Sequence, residues 1–275
     1  MKITTLGTSH GDSTYCRFNS STLYEVNGAL YLIDCGSPCE ALLCRKGKDN
    51  SKIRTIFCTH MHDDHVGGVT EMVKILEKYP KPGQHTEIFF PEKGAAEALI
   101  PWLGALHLEI DPNLIGFSLT VPGEIYSDEN ITVEAYPTDH IPSSPVKPVT
   151  FAYIITDKST GKRLLHTGDL RGDFQDYPKI LLKEHFDLLI CEATHYQQET
   201  ASPFFKKSLV DRLIFTHIGN RWHGENGESD LLGYCKDFPY PVSIAHDGDE
   251  FELRCGLRPP FLRPGLRKMD FDPGG

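Results

Sequence analysis

No stretch of the 275 residues approaches the roughly 18 consecutive apolar residues that a membrane-spanning helix needs. The first ten residues carry one lysine and no apolar block of the secretory kind, so the expectation is a cytoplasmic chain with no membrane partner. Positive charge is also short. Lys and Arg number 28 against 38 Asp and Glu, a net charge of −10. A field of that sign repels polyanions unless a local basic patch overcomes it, which disfavours broad nucleic-acid binding. Eight cysteines stand at positions 16, 35, 39, 44, 58, 191, 235 and 255, and only Cys35, Cys39 and Cys44 are close together. A zinc knuckle needs four convergent ligands in tighter pairs, so reduced thiols are the reading, in keeping with a reducing compartment.

What is present is an ordinary globular composition, 39% hydrophobic and 24% charged, enough for a sizeable core. Strand-like runs open the chain at 2–6, 22–26 and 29–34, the last two joined by Asn27-Gly28, a strong hairpin signal. A further strand at 53–58 runs into Thr59-His60. Beyond it Val66, Val69, Val73 and Leu76 recur at helical spacing as far as Tyr79-Pro80, predicting one helix that starts at the histidines. Other strand candidates lie at 88–90, 131–136, 150–156, 163–166, 188–191, 213–216, 242–245 and 251–253, and helices at 92–103, 178–184 and 229–235. Strands outnumber helices and come as hairpins early and as strand and helix alternations later. Two mixed β-sheets flanked by helices fit this better than one parallel sheet. No internal repeat or low-complexity linker divides the chain, so 1–255 is expected to be one domain and 256–275, rich in Pro, Arg and Gly, a tail.

The segment His60-Met61-His62-Asp63-Asp64-His65 packs three imidazoles and a carboxylate into six residues at the end of a strand. The strand period of two points His60 and His62 the same way, so both can face one metal. Asp64 and His65 lie where the chain turns into the helix and can face a second. Gly67-Gly68 removes side-chain bulk where backbone must pass close by.

At this point the sequence resembles the metallo-β-lactamase superfamily, and within it the ribonuclease Z-like phosphodiesterase branch. The resemblance covers nearly the whole chain. Leu6-Gly7-Thr8, Asn19-Ser20-Ser21 and Leu32-Ile33-Asp34-Cys35-Gly36 look like the family's opening segment, and the histidine cluster matches its signature. Downstream, His140 in Pro137-Thr138-Asp139-His140, Asp169 in Thr167-Gly168-Asp169 and His217 in Phe215-Thr216-His217 follow in the family's order, and Ala245-His246-Asp247-Gly248 resembles its close. The resemblance implies a four-layer αββα sandwich. It implies that His60, His62 and His140 hold one divalent metal, that Asp64, His65 and His217 hold another, and that Asp169 bridges them. Asp34 would support the metal loop from behind. Nitrogen and carboxylate ligands suit Zn²⁺, and also Mn²⁺ or Fe²⁺. His246 rivals His217, since both follow an apolar strand, and is otherwise an outer or substrate-facing group.

Two metals about 3.5 to 4 Å apart lower the pKa of a bridging water toward roughly 7, so the expected chemistry is hydrolysis by a metal-bound hydroxide. Asp64 would orient that water and accept its proton. Two departures from ribonuclease Z stand out. That branch carries His-Glu-Ala-Thr, whose histidine helps the leaving group depart, whereas this chain reads Cys191-Glu192-Ala193-Thr194 with His195 following. His195 or His223 is the candidate replacement. His140 and Asp169 are only 29 residues apart, too close to accommodate the arm with which ribonuclease Z grips transfer RNA. A small or cyclic phosphodiester fits better, with Arg171 available to meet phosphate charge. The alternatives are a ribonuclease Z-like RNA endonuclease, a lactone or thioester hydrolase on the same metals, and a non-enzymatic metal-binding sensor. A homodimer is among the assemblies the sequence allows.

Overall fold

The computed structural model describes residues 1–253, so the 256–275 segment lies outside the described residues. The strands, in chain order, begin with β1 (Lys2–Gly7), β2 (Ser21–Val26), β3 (Ala29–Ile33), β4 (Ile53–Phe57), β5 (Thr86–Phe90) and β6 (Ile115–Leu119). They continue with β7 (Gly123–Ser127), β8 (Ile131–Thr138), β9 (Thr150–Asp157), β10 (Arg163–His166), β11 (Leu188–Ala193), β12 (Leu213–Ile218), β13 (Val242–Ile244) and β14 (Asp249–Glu252). The six helices among the described residues are α1 (Cys39–Arg45), α2 (Asp63–Val66), α3 (Val69–Lys78), α4 (Ala95–Ala105), α5 (Gln198–Phe205) and α6 (Gly224–Tyr234).

The strands make two seven-stranded sheets, ordered β14-β1-β2-β3-β4-β5-β6 and β13-β12-β11-β10-β9-β8-β7. Each sheet is antiparallel in one half and parallel in the other. In the first the change comes at β3, which pairs antiparallel with β2 and parallel with β4. In the second it comes at β10, between β9 and β11. The β2–β3 hairpin turns through Asn27 and Gly28, both at positive φ (51° and 81°), the primed turn whose twist suits adjoining strands.

Three apolar cores separate the four layers. Between the sheets Tyr24, Tyr31 and Phe57 meet Val133, Tyr153 and Ile155. Outside the first sheet Leu32, Ile56 and Ile88 pack with Leu42, Val73 and Leu76 of α1 and α3. Outside the second, Leu189 and Phe215 pack with Phe205 of α5 and Leu231 of α6. Strand alternation accounts for the split: along β11, Leu188 and Ile190 enter the inner core and Leu189 and Cys191 the outer. A strand buried on both faces reads as a continuous apolar run, as β11 does. The architecture is the αββα sandwich of two mixed sheets expected from sequence.

Several elements differ from expectation. The single helix after the histidines is two, α2 and α3, interrupted at Gly67-Gly68. Gly68 N donates to Cys35 O at 2.8 Å, and Cys35 N donates to His65 O at 2.7 Å, so the helix opens to dock on the loop after β3. The expected helix at 178–184 is a 3₁₀ turn over Lys179–Leu182, where Leu181 O accepts from Leu209 N at 2.8 Å. Strands β6 and β7 and helices α1 and α5 had no counterpart in the sequence reading.

Candidate metal centre

The parallel halves bring strand C-termini to one end of the sandwich, where α/β folds place their sites. His60 to His65 follow β4, His140 follows β8, Asp169 follows β10, and His217 lies near the end of β12. His60 Nε2 is 3.0 Å from His62 Nδ1 and 3.5 Å from Asp169 Oδ2, and His140 Nε2 is 3.7 Å from that same oxygen. On the other side, Asp169 Oδ1 lies 3.3 Å from His65 Nε2 and 3.5 Å from His217 Nε2. Asp64 Oδ2 closes this half, 3.1 Å from His217 Nε2 and 3.3 Å from His65 Nε2. Three convergent groups result: His60, His62, His140 with Asp169; Asp64, His65 with His217; and, overlapping both, Asp169, Glu192, His195 with His217. The two oxygens of Asp169 face one each of the first two.

The chemistry of these side chains fits metal ions. His65 Nε2, His140 Nε2 and Asp169 Oδ1 are buried and have no hydrogen-bond partner among the described residues. Buried polar atoms left unpaired are expensive, and divalent ions are the partners this donor set suits. Burial pushes the His60 imidazole well below its ordinary pKa, which keeps it in the neutral, metal-binding form. Burial alone would raise the Asp169 carboxyl, but His217 and His65 beside it hold it well below the usual carboxylate range.

Backing groups aim the ligands. Asp34 accepts from Thr59 N at 2.7 Å through one oxygen and lies 2.7 Å from His65 Nδ1 through the other, leaving His65 Nε2 pointed inward. His140 Nδ1 is 3.1 Å from Leu170 O, and His217 Nδ1 is 3.2 Å from Thr194 Oγ1. Asp34, Ile141 and His217 take left-handed backbone conformations, φ 61°, 47° and 48°. For β-branched Ile141 this is an outlier, and strain of this kind collects where a fold has to aim functional groups.

The other sequence candidates divide. Glu192 is buried and central: Oε1 accepts from Leu170 N at 2.6 Å, next to Asp169, and Oε2 accepts from Thr194 N and His195 N, each at 3.0 Å. His195 joins the cluster, with Nδ1 2.8 Å from Glu192 Oε2 and 3.7 Å from Asp169 Oδ2, and its ring 4.4 Å from that of His140. Burial by itself would lower its pKa, but the Glu192 and Asp169 carboxylates outweigh it and raise it to about 9. His223 is not a member of any ligand group; its Nε2 lies 2.8 Å from the carbonyl of Ile218, the residue after His217. His246 stands apart, half exposed between Glu228 at 2.8 Å and Asp249 at 3.6 Å. The structure thus brings in His217 and not its rival. The guanidinium of Arg171 is already engaged, donating twice to Asp173 at 2.8 and 2.6 Å and once to Asp139 at 3.1 Å. The backing roles of Thr59 and Thr194 carry no signal in sequence because hydrogen bonds across the fold, invisible to spacing, create them.

The fold aligns over 91% of this chain with 99% of the metallo-β-lactamase fold protein YhfI from Bacillus subtilis, at a TM-score of 0.72 and 21% identity. In sequence the chain is 32% identical over 316 residues to a ribonuclease Z of Crocosphaera subtropica, covering 92% of this chain and 98% of that protein. A ribonuclease Z of Methanocaldococcus jannaschii is 29% identical over 160 residues, 57% of this chain, and the match spans about half of that relative's length (48%). Fold, ligand groups and relatives together define a metal-dependent hydrolase of the metallo-β-lactamase superfamily, related to ribonuclease Z. Over residues 1–202 the chain matches the family described as Anti-Pycsar protein Apyc1, and it belongs to that family.

Proposed function

We propose that this protein is a phosphodiesterase for a small or cyclic phosphodiester, working with two divalent ions, Zn²⁺ ahead of Mn²⁺ or Fe²⁺. His60, His62 and His140 would hold one, Asp64, His65 and His217 the other, and Asp169 both. The observation that carries the reading is the division of the Asp169 oxygens between two imidazole sets. Two ions placed there would supply Lewis acidity toward the phosphoryl oxygens and lower the pKa of water.

The chain's own residues would do the rest. Asp64, its carboxyl held well below the ordinary range by His217 and His65 against the opposing effect of burial, stays ionised to orient water. His195 is the proposed proton donor to the leaving oxygen: Nδ1 is tied to Glu192, so Nε2 is the nitrogen that delivers the proton. The segment between His140 and Asp169 supports a small substrate. It is taken up by a loop at 141–149, β9, a turn at 158–162 and β10, which leaves no projecting arm within it.

A panel of bis-p-nitrophenyl phosphate, a 3′,5′-cyclic nucleotide, a precursor transfer RNA, a homoserine lactone and a thioester tests the reading on metal-loaded protein. Hydrolysis of the two small phosphodiesters well above the rest is expected. Preferred cleavage of the RNA, or turnover of the lactone or thioester alone, would overturn it in favour of a ribonuclease Z-like endonuclease or a carboxylic ester hydrolase.

A further inference from the structure

We infer that His10 and His223 form a recognition pair for the polar organic arm of the phosphodiester, beside the Asp64, His65 and His217 half of the centre. The inference rests on the phosphodiesterase reading and goes beyond it by assigning where the non-phosphate part of the substrate is held.

The loop at 8–18 is closed and anchored. Ser9 N donates to Phe18 O at 2.7 Å, and Thr14 N to Arg17 O at 2.8 Å. Asp247 grips its base, accepting from Thr8 N at 2.9 Å, Thr8 Oγ1 at 2.6 Å and Phe18 N at 2.6 Å. The buried Arg17 donates to Thr8 Oγ1 at 2.7 Å, Ala245 O at 2.6 Å and Glu228 Oε1 at 2.9 Å. The position of this loop is therefore fixed from inside the protein.

It is fixed against the metal centre. Ile218 N donates to Thr8 O at 2.8 Å, and Ser9 forms a bridge with Ile218, the residue after His217. Ser20 Oγ donates to Ser9 O at 3.3 Å, and Ser20 O accepts from Gly36 N at 2.9 Å. Gly36 in turn packs on the backbone of Asp64. His10 leaves this anchored base next to His223, the rings 5.9 Å apart and inclined by 45°.

The two imidazoles have unused hydrogen-bonding capacity. His10 Nδ1 is buried and has no partner among the described residues. His223 Nε2 lies 2.8 Å from a carbonyl, so it carries the hydrogen, and in the neutral ring Nδ1 is left as an acceptor. Neither histidine belongs to a group that could hold a metal among the described residues. A buried ring nitrogen without a partner at the rim of a hydrolytic centre suits a hydroxyl, carbonyl or amide of the substrate, while the metals meet the phosphate charge.

The test compares His10→Ala and His10→Asn with wild type on adenosine 3′,5′-cyclic monophosphate, which carries a hydroxyl and a base, and on bis-p-nitrophenyl phosphate, whose arms carry no hydroxyl. Loss of the bond in His10→Ala should raise KM for the cyclic nucleotide about tenfold, leave KM for the nitrophenyl diester unchanged, and be largely restored in His10→Asn. A similar rise on both substrates would mean that His10 only supports the fold, and no change on either would leave it without a role. Both results overturn the inference, as would a wild type that cleaves the nitrophenyl diester yet is neither turned over nor inhibited by the cyclic nucleotide. A wild type that cleaves no phosphodiester defeats the phosphodiesterase reading itself.

Discussion

Gly36→Ala should disable the centre without touching a ligand. A Cβ at position 36 would lie 2.2 Å from Asp64 O and 2.8 Å from both Asn19 Cβ and Ser20 O, where ordinary contact begins near 3.4 Å. The turn bearing Asp64 and His65 must therefore move from the loop after β3 by more than 1 Å. Neither side yields easily, because Gly36 N is bonded to Ser20 O, Cys35 N to His65 O and Gly68 N to Cys35 O. Overpacking of this kind costs about 1–3 kcal/mol, within the stability of a domain of this size. A ligand misplaced by about 1 Å loses on the order of 10²-fold in rate. Turnover of bis-p-nitrophenyl phosphate, metal content by mass spectrometry and thermal melting, each measured beside Gly104→Ala, read the effect. Gly104 lies in α4, and a Cβ there meets nothing within 4 Å. The expected outcome is a folded Gly36→Ala protein with kcat/KM down about 10²-fold and metal content reduced, and a Gly104→Ala protein like wild type. A folded Gly36→Ala protein with full metal and full activity would refute the reasoning.

If His195 protonates the leaving oxygen, His195→Gln should lower kcat by roughly 10²–10⁴-fold on an alkyl phosphodiester and far less on a nitrophenyl one, whose leaving group departs unaided; equal losses on both would argue against that role. Stripping the ions with excess chelator should abolish turnover and lower Tm by about 10 °C, since ligand at a thousandfold over Kd contributes about 4 kcal/mol. An unchanged melt would mean that the buried imidazoles do not need metal. His166, 2.8 Å from Tyr24 OH, is held neutral by burial with its pKa lowered to about 3. Its unfolded value is near 6.5, so the unfolded chain binds the extra proton between these limits; the contribution is complete above pH 6.5 and is lost as pH falls toward 3. At most this amounts to roughly 4–5 kcal/mol. In urea titrations of metal-free protein, the stability of His166→Phe should fall less steeply than that of wild type from pH 6.5 to 4.5, and parallel slopes would contradict the assignment.

Much of this molecule could be read from its sequence because the informative signals are local. The Asn27-Gly28 hairpin is written in two residues that tolerate positive φ, and His60 to His65 carry their spacing within six positions. The failures follow from features that are not local. A helical period runs unbroken across Gly67-Gly68, but the chain opens there because backbone groups of Cys35, brought near by the sheet, compete for its hydrogen bonds. Helix α5 contains Pro203, which breaks the helical signal in sequence; α1, seven residues long and directly after Pro38, is too short for periodicity to register. Strand β7 is an edge with mostly exposed or half-buried side chains, and so lacks an apolar run. The displaced histidine at 195 could be named but not aimed. Only the fold shows that Glu192 turns it toward Asp169.

The His60, His62, His140, Asp169 group and the Asp64, His65, His217 group each draw on both sheets: His60, His62, Asp64 and His65 come from the end of β4, and His140, Asp169 and His217 from β8, β10 and β12. Neither sheet alone presents either of these two sets; only Asp169, Glu192, His195 and His217 converge from the second sheet by itself. The ions would then act as a clasp closed only after the two halves of the sandwich have met, and metal affinity becomes a gauge of how well the faces are docked. Truncating a side chain such as Ile155 in the inter-sheet core would weaken metal retention while leaving every ligand in place, and a nascent chain would be unable to load its centre until β12 had joined the second sheet.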